Sequence, residues 1–244
     1  GVVIGATRAD GSVTVGTTSC TGMCDQGPAA LVNGYALTRL DKPRLDRIVE
    51  LVNHQTPLTE WPREFFEVTS NIRRADILLG RHFADGSALR AILKRGPEAI
   101  LEELVKSGLR GQGGAGFKSA IKWISCRSAP GDVKYVVCNA DEGEPGTFKD
   151  RVLMQDFADL VFEGMTLCGR VIGARWGFVY LRGEYRYMAE ALKETLRRRR
   201  EVGLLGEAIL GDPTFSFDID IHLGAGAYVC GAEPALIESL EGKH

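Results

Sequence analysis

The chain of 244 residues carries 30 Lys and Arg against 32 Asp and Glu, for a net charge of −2, and is 44% hydrophobic. This is ordinary globular composition, long enough for one large domain or two ordinary ones, and it lacks the basic excess expected of a nucleic-acid partner. No apolar run approaches the roughly 20 residues of a membrane span, no signal peptide stands at the start, and the six cysteines are too scattered for a small disulfide-built secreted domain, which points to a reducing cytoplasm.

In chain order, Val2-Val3-Ile4 and the alternating Val13-Thr14-Val15 suit short strands with a turn at Asp10-Gly11. A loop rich in Gly, Ser and Thr, residues 18–28, then sets Cys20 four residues before Cys24. Two thiols on an adaptable backbone are half of the usual four-ligand set of an iron–sulfur cluster. By spacing alone, two free cysteines are the plainer reading, and a redox dithiol is disfavoured because that motif reads C-x-x-C. Residues 31–37 read as a hairpin about Asn33-Gly34. Asp41 caps a helix that opens at Pro43 and turns Leu45, Ile48, Val49 and Val52 to one face. Residues 54–86, interrupted by Pro57 and Pro62, read as a connector whose Trp61, Phe65 and Phe66 pack it onto a domain.

Two helices follow, over 88–95 and 97–107, and then Gly108-Leu109-Arg110-Gly111-Gln112-Gly113-Gly114-Ala115-Gly116-Phe117-Lys118. Between Gly111 and Gly116 the loop is almost bare of side chains, and Arg110, Lys118 and Lys122 bracket it. Consecutive backbone N–H groups at the start of the next helix, 119–126, suit a phosphate-bearing cofactor; a tight turn or linker is the alternative. The loop is not a P-loop, because Phe117 delays Lys118 by one residue, nor a Rossmann fingerprint, because a helix and not a strand precedes it.

The run 133–138 reads as a buried strand. It empties into residues 139–148, whose polar and acidic groups lie where open α/β sheets bind ligands; an acidic surface turn is the alternative. A helix is expected over 150–164, extended by 165–172, then a buried strand at 178–181. An amphipathic helix over 187–200 closes in four arginines, which read as a solvated end. A strand at 218–223 leads through a glycine-rich turn into a helix with Leu236, Ile237 and Leu240 on one face. His222 reads as a core or surface histidine. The small residues, acids and one aromatic at these ends suit one planar, phosphorylated ligand.

Five runs together resemble the NADH-oxidising flavoprotein subunit of respiratory complex I and its soluble relatives: Ser107-Gly108-Leu109-Arg110-Gly111, Gly113-Gly114-Ala115-Gly116-Phe117, residues 138–151, Leu181-Arg182-Gly183-Glu184-Tyr185, and residues 224–231. The resemblance covers about residues 88–244. Residues 1–53 resemble the second half of a thioredoxin-like [2Fe-2S] domain. Both modules in one chain are similar to the diaphorase subunits of soluble NAD-reducing hydrogenases, with fusions in NAD-dependent formate dehydrogenases close behind.

The resemblance implies an α/β chain in three parts. These are a partial thioredoxin-like ferredoxin domain (1–53), a connector (54–86), and an FMN/NAD-binding domain of the complex I flavoprotein type (87–244) that is incomplete at its C-terminus. FMN would be held by Gly111, Gly113, Lys122, Asn139, Asp141, Glu142, Tyr228 and Gly231, with Arg110, Gly114, Gly116 and Glu233 in the same cofactor site. Ala115 and Phe117 would lie under the dinucleotide, and Glu144 would face its ribose. Cys20 and Cys24 would supply two ligands of a [2Fe-2S] cluster, and a [4Fe-4S] cluster is expected beyond His244. No side chain need act as acid or base, since hydride passes between NAD(H) and FMN. The implied partners are a second iron–sulfur diaphorase subunit and hydrogenase subunits in a cytoplasmic hetero-oligomer. The chain departs from the family at Ala232, where a glutamate is usual, with Pro234 following Glu233, and at Ser125, where an aromatic residue is usual. A P-loop-like NTPase and a non-catalytic scaffold are the rival classes.

Overall fold

The computed structural model describes residues 2–18, 20–74, 79–80 and 83–243; Ser19 of the cysteine loop and residues 75–78, 81 and 82 of the connector lie outside them. In place of two N-terminal strands, a single antiparallel bridge joins Thr7 to Thr14, and the turn closes with Gly11 N donating to Arg8 O at 2.8 Å. Val3 and Ile4 are exposed, so their run has no partner face and forms no strand. β1 (Ala30–Val32) and β2 (Tyr35–Leu37) pair antiparallel. Asn33 and Gly34 between them take φ of 49° and 81°, as a two-residue hairpin turn of this kind requires.

α1 (Lys42–Asn53) has the expected cap: the Asp41 carboxylate accepts from Arg44 N at 2.9 Å, worth about 1 kcal/mol. Its inner stripe is rotated from the expected one. Leu51 is buried with Ile48 and Val52 beside it, while Leu45 and Val49 are exposed. The connector sets this face, because Trp61 and Phe65 bury against Leu37 and Leu51 and Trp61 Nε1 donates to Thr56 O at 2.9 Å.

α2 (Ser87–Ser107) is two helical pieces, broken at Gly96 (φ 78°, ψ 164°) just before Pro97. α3 (Ser119–Ser128) follows the glycine loop. β3 (Tyr135–Ala140), β4 (Trp176–Leu181) and β5 (Asp218–Leu223) form a parallel sheet in the order β3-β4-β5. Ala140 pairs with Leu181 and Leu181 with Leu223, so the three carboxyl ends lie level. β4 is the buried centre. β3 begins two residues later than its apolar run and is an edge strand, with Val133, Tyr135 and Val137 exposed. β-branched composition marks fitness for a sheet, and burial is decided by position within it.

The single helix expected from Asp150 is two: α4 (Lys149–Asp156) and α5 (Ala158–Ile172) part at Phe157 (φ −133°, ψ 25°). α5 packs on the sheet so closely that a Cβ at Gly169 would stand 2.6 Å from the Phe217 ring. A 3-10 turn over Gly183–Met188 precedes α6 (Ala189–Glu201). Of the closing arginines, Arg197, Arg198 and Arg200 are exposed as expected, and Arg199 is the exception. Arg199 is 1% exposed and donates to Asp159 Oδ1 at 3.3 Å, while Arg200 pairs with Asp218 and Arg198 with Asp159. α7 (Glu233–Leu240) lays Leu236 and Leu240 against Tyr180 and Cys230, leaving Ile237 exposed. His222 stacks on the Tyr180 ring at 5.3 Å.

Candidate functional site

The level strand ends put three loops side by side. At the end of β3, Asn139 Nδ2 donates to Gly231 O at 2.8 Å, which ties this strand to the loop after β5. The two backbones touch: a Cβ at Gly231 would stand 3.2 Å from Asp141 O and 3.6 Å from Asp141 Oδ2. The loop after β4 joins them, since a Cβ at Gly183 would meet Gly224 O at 2.7 Å. Glycine is therefore required at 183 and favoured at 231 by close approach of main chain.

Asp141 is buried, and its Oδ2 has no hydrogen-bond partner. Burial pushes its carboxyl up to about 6, with Arg182 pulling it down and Glu184 pushing it further up. A buried acceptor left unpaired is uncommon and costs stability unless something donates to it. Beside Gly231 and Asn139, that atom fits a ligand N–H or O–H. The fit to FMN rests on this orphaned oxygen, together with the bare glycine loop that begins α3.

Glu144 and Tyr228 face each other across the cleft. The Tyr228 hydroxyl donates to Glu144 Oε2 at 2.8 Å, and this bond raises the pKa of the phenol. The Tyr228 ring lies against Gly143, where a Cβ would be 3.2 Å from Cδ2. Lys122 Nζ, on α3, pairs with Glu233 Oε1 at 2.8 Å. Five of the expected site residues are thus drawn together with Asn139 and Asp141: Lys122, Glu144, Tyr228, Gly231 and Glu233.

The glycine loop leads into α3. Gly111 N donates to Phe117 O at 2.8 Å, Ser119 N to Leu109 O at 3.0 Å, and Arg110 Nη1 to Gly116 O at 2.9 Å. Among the described residues its hydrogen bonds close on the loop itself. Gly114 and Gly116 take φ of 104° and 59°, which side chains rarely adopt. Gly113 and Ala115 are exposed, and Phe117 is 49% exposed. The loop joins the cleft through α3 and Lys122.

Glu142, between Asp141 and Glu144, is bonded within the protein. Its carboxylate accepts from Asp150 N at 2.9 Å, Arg151 N at 3.2 Å and Tyr185 Oη at 3.0 Å. It caps the first turn of α4, where unpaired N–H groups favour an anion. The carboxylate is held by that helix and by Tyr185.

Beneath this turn lies the cysteine loop. Cys20 is part-buried and Cys24 exposed. Burial pushes the Cys20 thiol up, but the Gly22 and Gly146 amides and the Arg182 guanidinium outweigh it and hold the thiol below its ordinary value. A sulfur that attracts N–H donors suits a cluster thiolate. Among the described residues no group of three or more His, Cys, Asp or Glu could hold a metal ion. The loop is bound to the later part of the chain by two buried arginines: Arg182 Nη2 donates to Cys20 O at 2.6 Å, and Arg151 pairs with Asp25. Sequence reasoning missed both arginines and Glu184. Their runs, 138–151 and 181–185, stood out, but charged residues read as surface until their partners are seen.

A family model described as the Nuo51 FMN-binding domain matches residues 104–244, and one described as a thioredoxin-like [2Fe-2S] ferredoxin matches residues 1–53. The chain is 45% identical over 255 residues to the NAD-reducing hydrogenase HoxS subunit alpha of Cupriavidus necator, covering 100% of this chain and 42% of that one. It is 42% identical over 157 residues to an NADH-quinone oxidoreductase subunit of Escherichia coli, covering 64% and 35%. The crystal structure of an NAD+-reducing [NiFe]-hydrogenase in the H2-reduced state superposes with a TM-score of 0.91 at 43% identity, over 99% of this chain and 41% of that one. The chain thus spans less than half the length of these relatives.

Proposed function

The chain belongs to the family of the Nuo51 FMN-binding domain, and from that premise we propose that it is a diaphorase module. It exchanges hydride between NAD(H) and FMN and single electrons with iron–sulfur clusters. The observation that carries this reading is the orphaned Asp141 Oδ2 in the cleft where Asn139, Gly231, Glu144 and Tyr228 meet. When bound, FMN supplies the exchange between two-electron and one-electron carriers.

The chain's own residues bind and orient. The loop amides that follow Gly111, up to Gly116, with Arg110 and Lys122, would hold the phosphate, and Gly111, whose own amide donates to Phe117 O, would offer it bare backbone; Lys122 now pairs with Glu233 and would share its charge. Asp141 Oδ2 would accept a hydrogen bond from the flavin, and Asn139 holds Gly231 against it. Phe117 and Ala115 offer apolar surface to the dinucleotide. Glu144, held by Tyr228, would accept from ribose hydroxyls and repel the extra phosphate of NADPH. Cys20 and Cys24 would serve a [2Fe-2S] cluster beside the same turn.

A hydrogenase partner, through a second iron–sulfur diaphorase subunit in a cytoplasmic hetero-oligomer, is favoured over complex I. The likeness to the hydrogenase protein runs over 100% of the chain, against 64% with the Escherichia coli oxidoreductase. A [4Fe-4S] cluster elsewhere in the intact protein belongs to the same proposal. A P-loop role is disfavoured because α2, not a strand, leads into the loop. No described helix is long and apolar enough to cross a membrane. The test is to purify the intact protein, release its cofactor by heat and assay NADH oxidation with an artificial acceptor. FMN and NADH-dependent turnover are expected. FAD as the main flavin, or no flavin and no turnover, overturns the reading.

A further inference from the structure

The nucleotide-side turn and the cysteine loop meet on one guanidinium. Arg182 is 3% exposed. Its Nε and Nη2 donate to Glu184 at 3.0 and 3.2 Å, its Nη1 to the carbonyl of Glu142, and its Nη2 to the carbonyl of Cys20 at 2.6 Å. The next turn completes the seat. Tyr185 lies against Gly22, where a Cβ would stand 2.5 Å from the ring, and the Arg182 guanidinium is 5.5 Å from that ring's centre. The backbone of the cysteine loop, at residues 20 and 22, therefore rests on Arg182 and Tyr185 rather than on its own hydrogen bonds alone.

A lysine does not do this work equally. Three acceptors in three directions match the planar fork of a guanidinium and not the point charge of an ammonium. A cation bonded to the carbonyl of a metal-ligand residue, away from water, also favours added negative charge at that ligand. Glu184 is bonded to the same guanidinium but, among the described residues, makes no hydrogen bond to the cysteine loop, so its charge opposes that effect from further away.

We propose that Arg182 is a positioning residue for Cys20, fixing the loop and raising the reduction potential of the iron–sulfur centre that Cys20 serves. This rests on the reading of Cys20 and Cys24 as cluster ligands. In the step concerned, one electron that originates in the dihydronicotinamide donor arrives at the cluster, which gains one negative charge; no bond forms or breaks and no proton moves. Arg182 stabilises the reduced form and Glu184 the oxidised form.

The experiment uses the intact protein and follows the [2Fe-2S] EPR signal against applied potential, with iron and flavin content measured alongside. Arg182→Gln is expected to lower the potential by about tenfold in the reduction equilibrium, about 59 mV for one electron. Glu184→Gln is expected to raise it, and Arg182→Lys, which keeps the charge, to lower it less than Arg182→Gln. If Arg182→Gln loses its cluster by misfolding, the other two variants carry the test. Opposite shifts with iron and flavin retained support the proposal. Potentials that stay at the wild-type value, or that move in one direction in both the Arg182 and Glu184 variants, overturn it. A wild-type protein that holds flavin and oxidises NADH but shows no [2Fe-2S] signal overturns the ligand reading and this proposal with it, leaving the diaphorase reading standing.

Discussion

At the scale of single residues, two carboxylates in one turn have opposite environments and different expected behaviour. Glu144 is exposed and accepts from Tyr228 Oη at 2.8 Å. Glu144→Gln keeps an acceptor for Tyr228 and removes the charge. Charge-assisted bonds to ribose are worth roughly 1.5–3 kcal/mol, so the NADH-over-NADPH preference should narrow by about tenfold for each 1.4 kcal/mol lost. The measurement is kcat/KM for both nucleotides; a fixed ratio with both values reduced assigns Glu144 to support of the fold. Asp141 is the buried case, its carboxyl pushed up to about 6 from 3.8 chiefly by burial. Between those values the folded state holds more protons than the unfolded one, so this group's contribution falls as pH rises from 4 to 6 and is level above that. Asp141→Asn in the flavin-free protein should therefore gain on wild type across that window and hold its gain at pH 7. Denaturant midpoints at pH 4.5, 5.5 and 7 check it, and parallel curves exclude it. Both acids were legible as candidates because they follow a strand in a glycine-rich turn. Glu142, between them, was legible only as a third acid. Its bonds to Asp150 N and Arg151 N depend on where α4 starts, which sequence placed one residue late.

At the scale of elements, the pattern of apolar residues located helices and strands well but misjudged what they face. β4 is buried at the centre of the sheet, yet β3, read from its apolar run as a buried strand, is an edge, as is β5. α6 ends in arginines that looked solvated, and Arg199 is instead buried between Asp159 and Glu163. That second contact explains how α2 starts. Glu163, on α5, accepts from Gly86 N at 2.9 Å, Ala88 N at 2.8 Å and Leu89 N at 3.2 Å. A carboxylate from a distant helix thus caps α2, a role that a search for a local capping residue cannot find. Glu163→Ala removes the cap and leaves Arg199 buried with one fewer anion. The expected loss is about 3–5 kcal/mol, the range for breaking a buried pair from one side. It is read from the denaturant midpoint with the slope unchanged. A loss under about 1 kcal/mol would mean that water replaces the carboxylate and that the ion pair is incidental.

At the scale of the whole molecule, the two modules were legible from runs of residues, but their junction was not. Spacing left Cys20 and Cys24 as plain cysteines, and resemblance alone made them ligands. The structure adds where they sit: Cys20 O on Arg182, Asp25 on Arg151, and the Gly146 amide at the Cys20 sulfur. All three partners belong to the flavoprotein module, so the cysteine loop is seated beside the turn that carries Asp141 and Glu144. That proximity is what a carrier accepting electrons from the flavin needs, and it makes a sharp prediction. Cys20→Ser with Cys24→Ser removes two thiolates without touching Arg182, Arg151 or Gly22, so the seat of the loop persists. Iron content should fall by the equivalent of one two-iron cluster, and the matching EPR signal should vanish. FMN content and NADH oxidation with an artificial two-electron acceptor should persist, because the cleft residues are untouched. Iron and EPR signal that stay at wild-type levels would show that the pair is structural. Loss of flavin together with iron would show that the loop holds the cleft in shape, and that the modules fold as one unit.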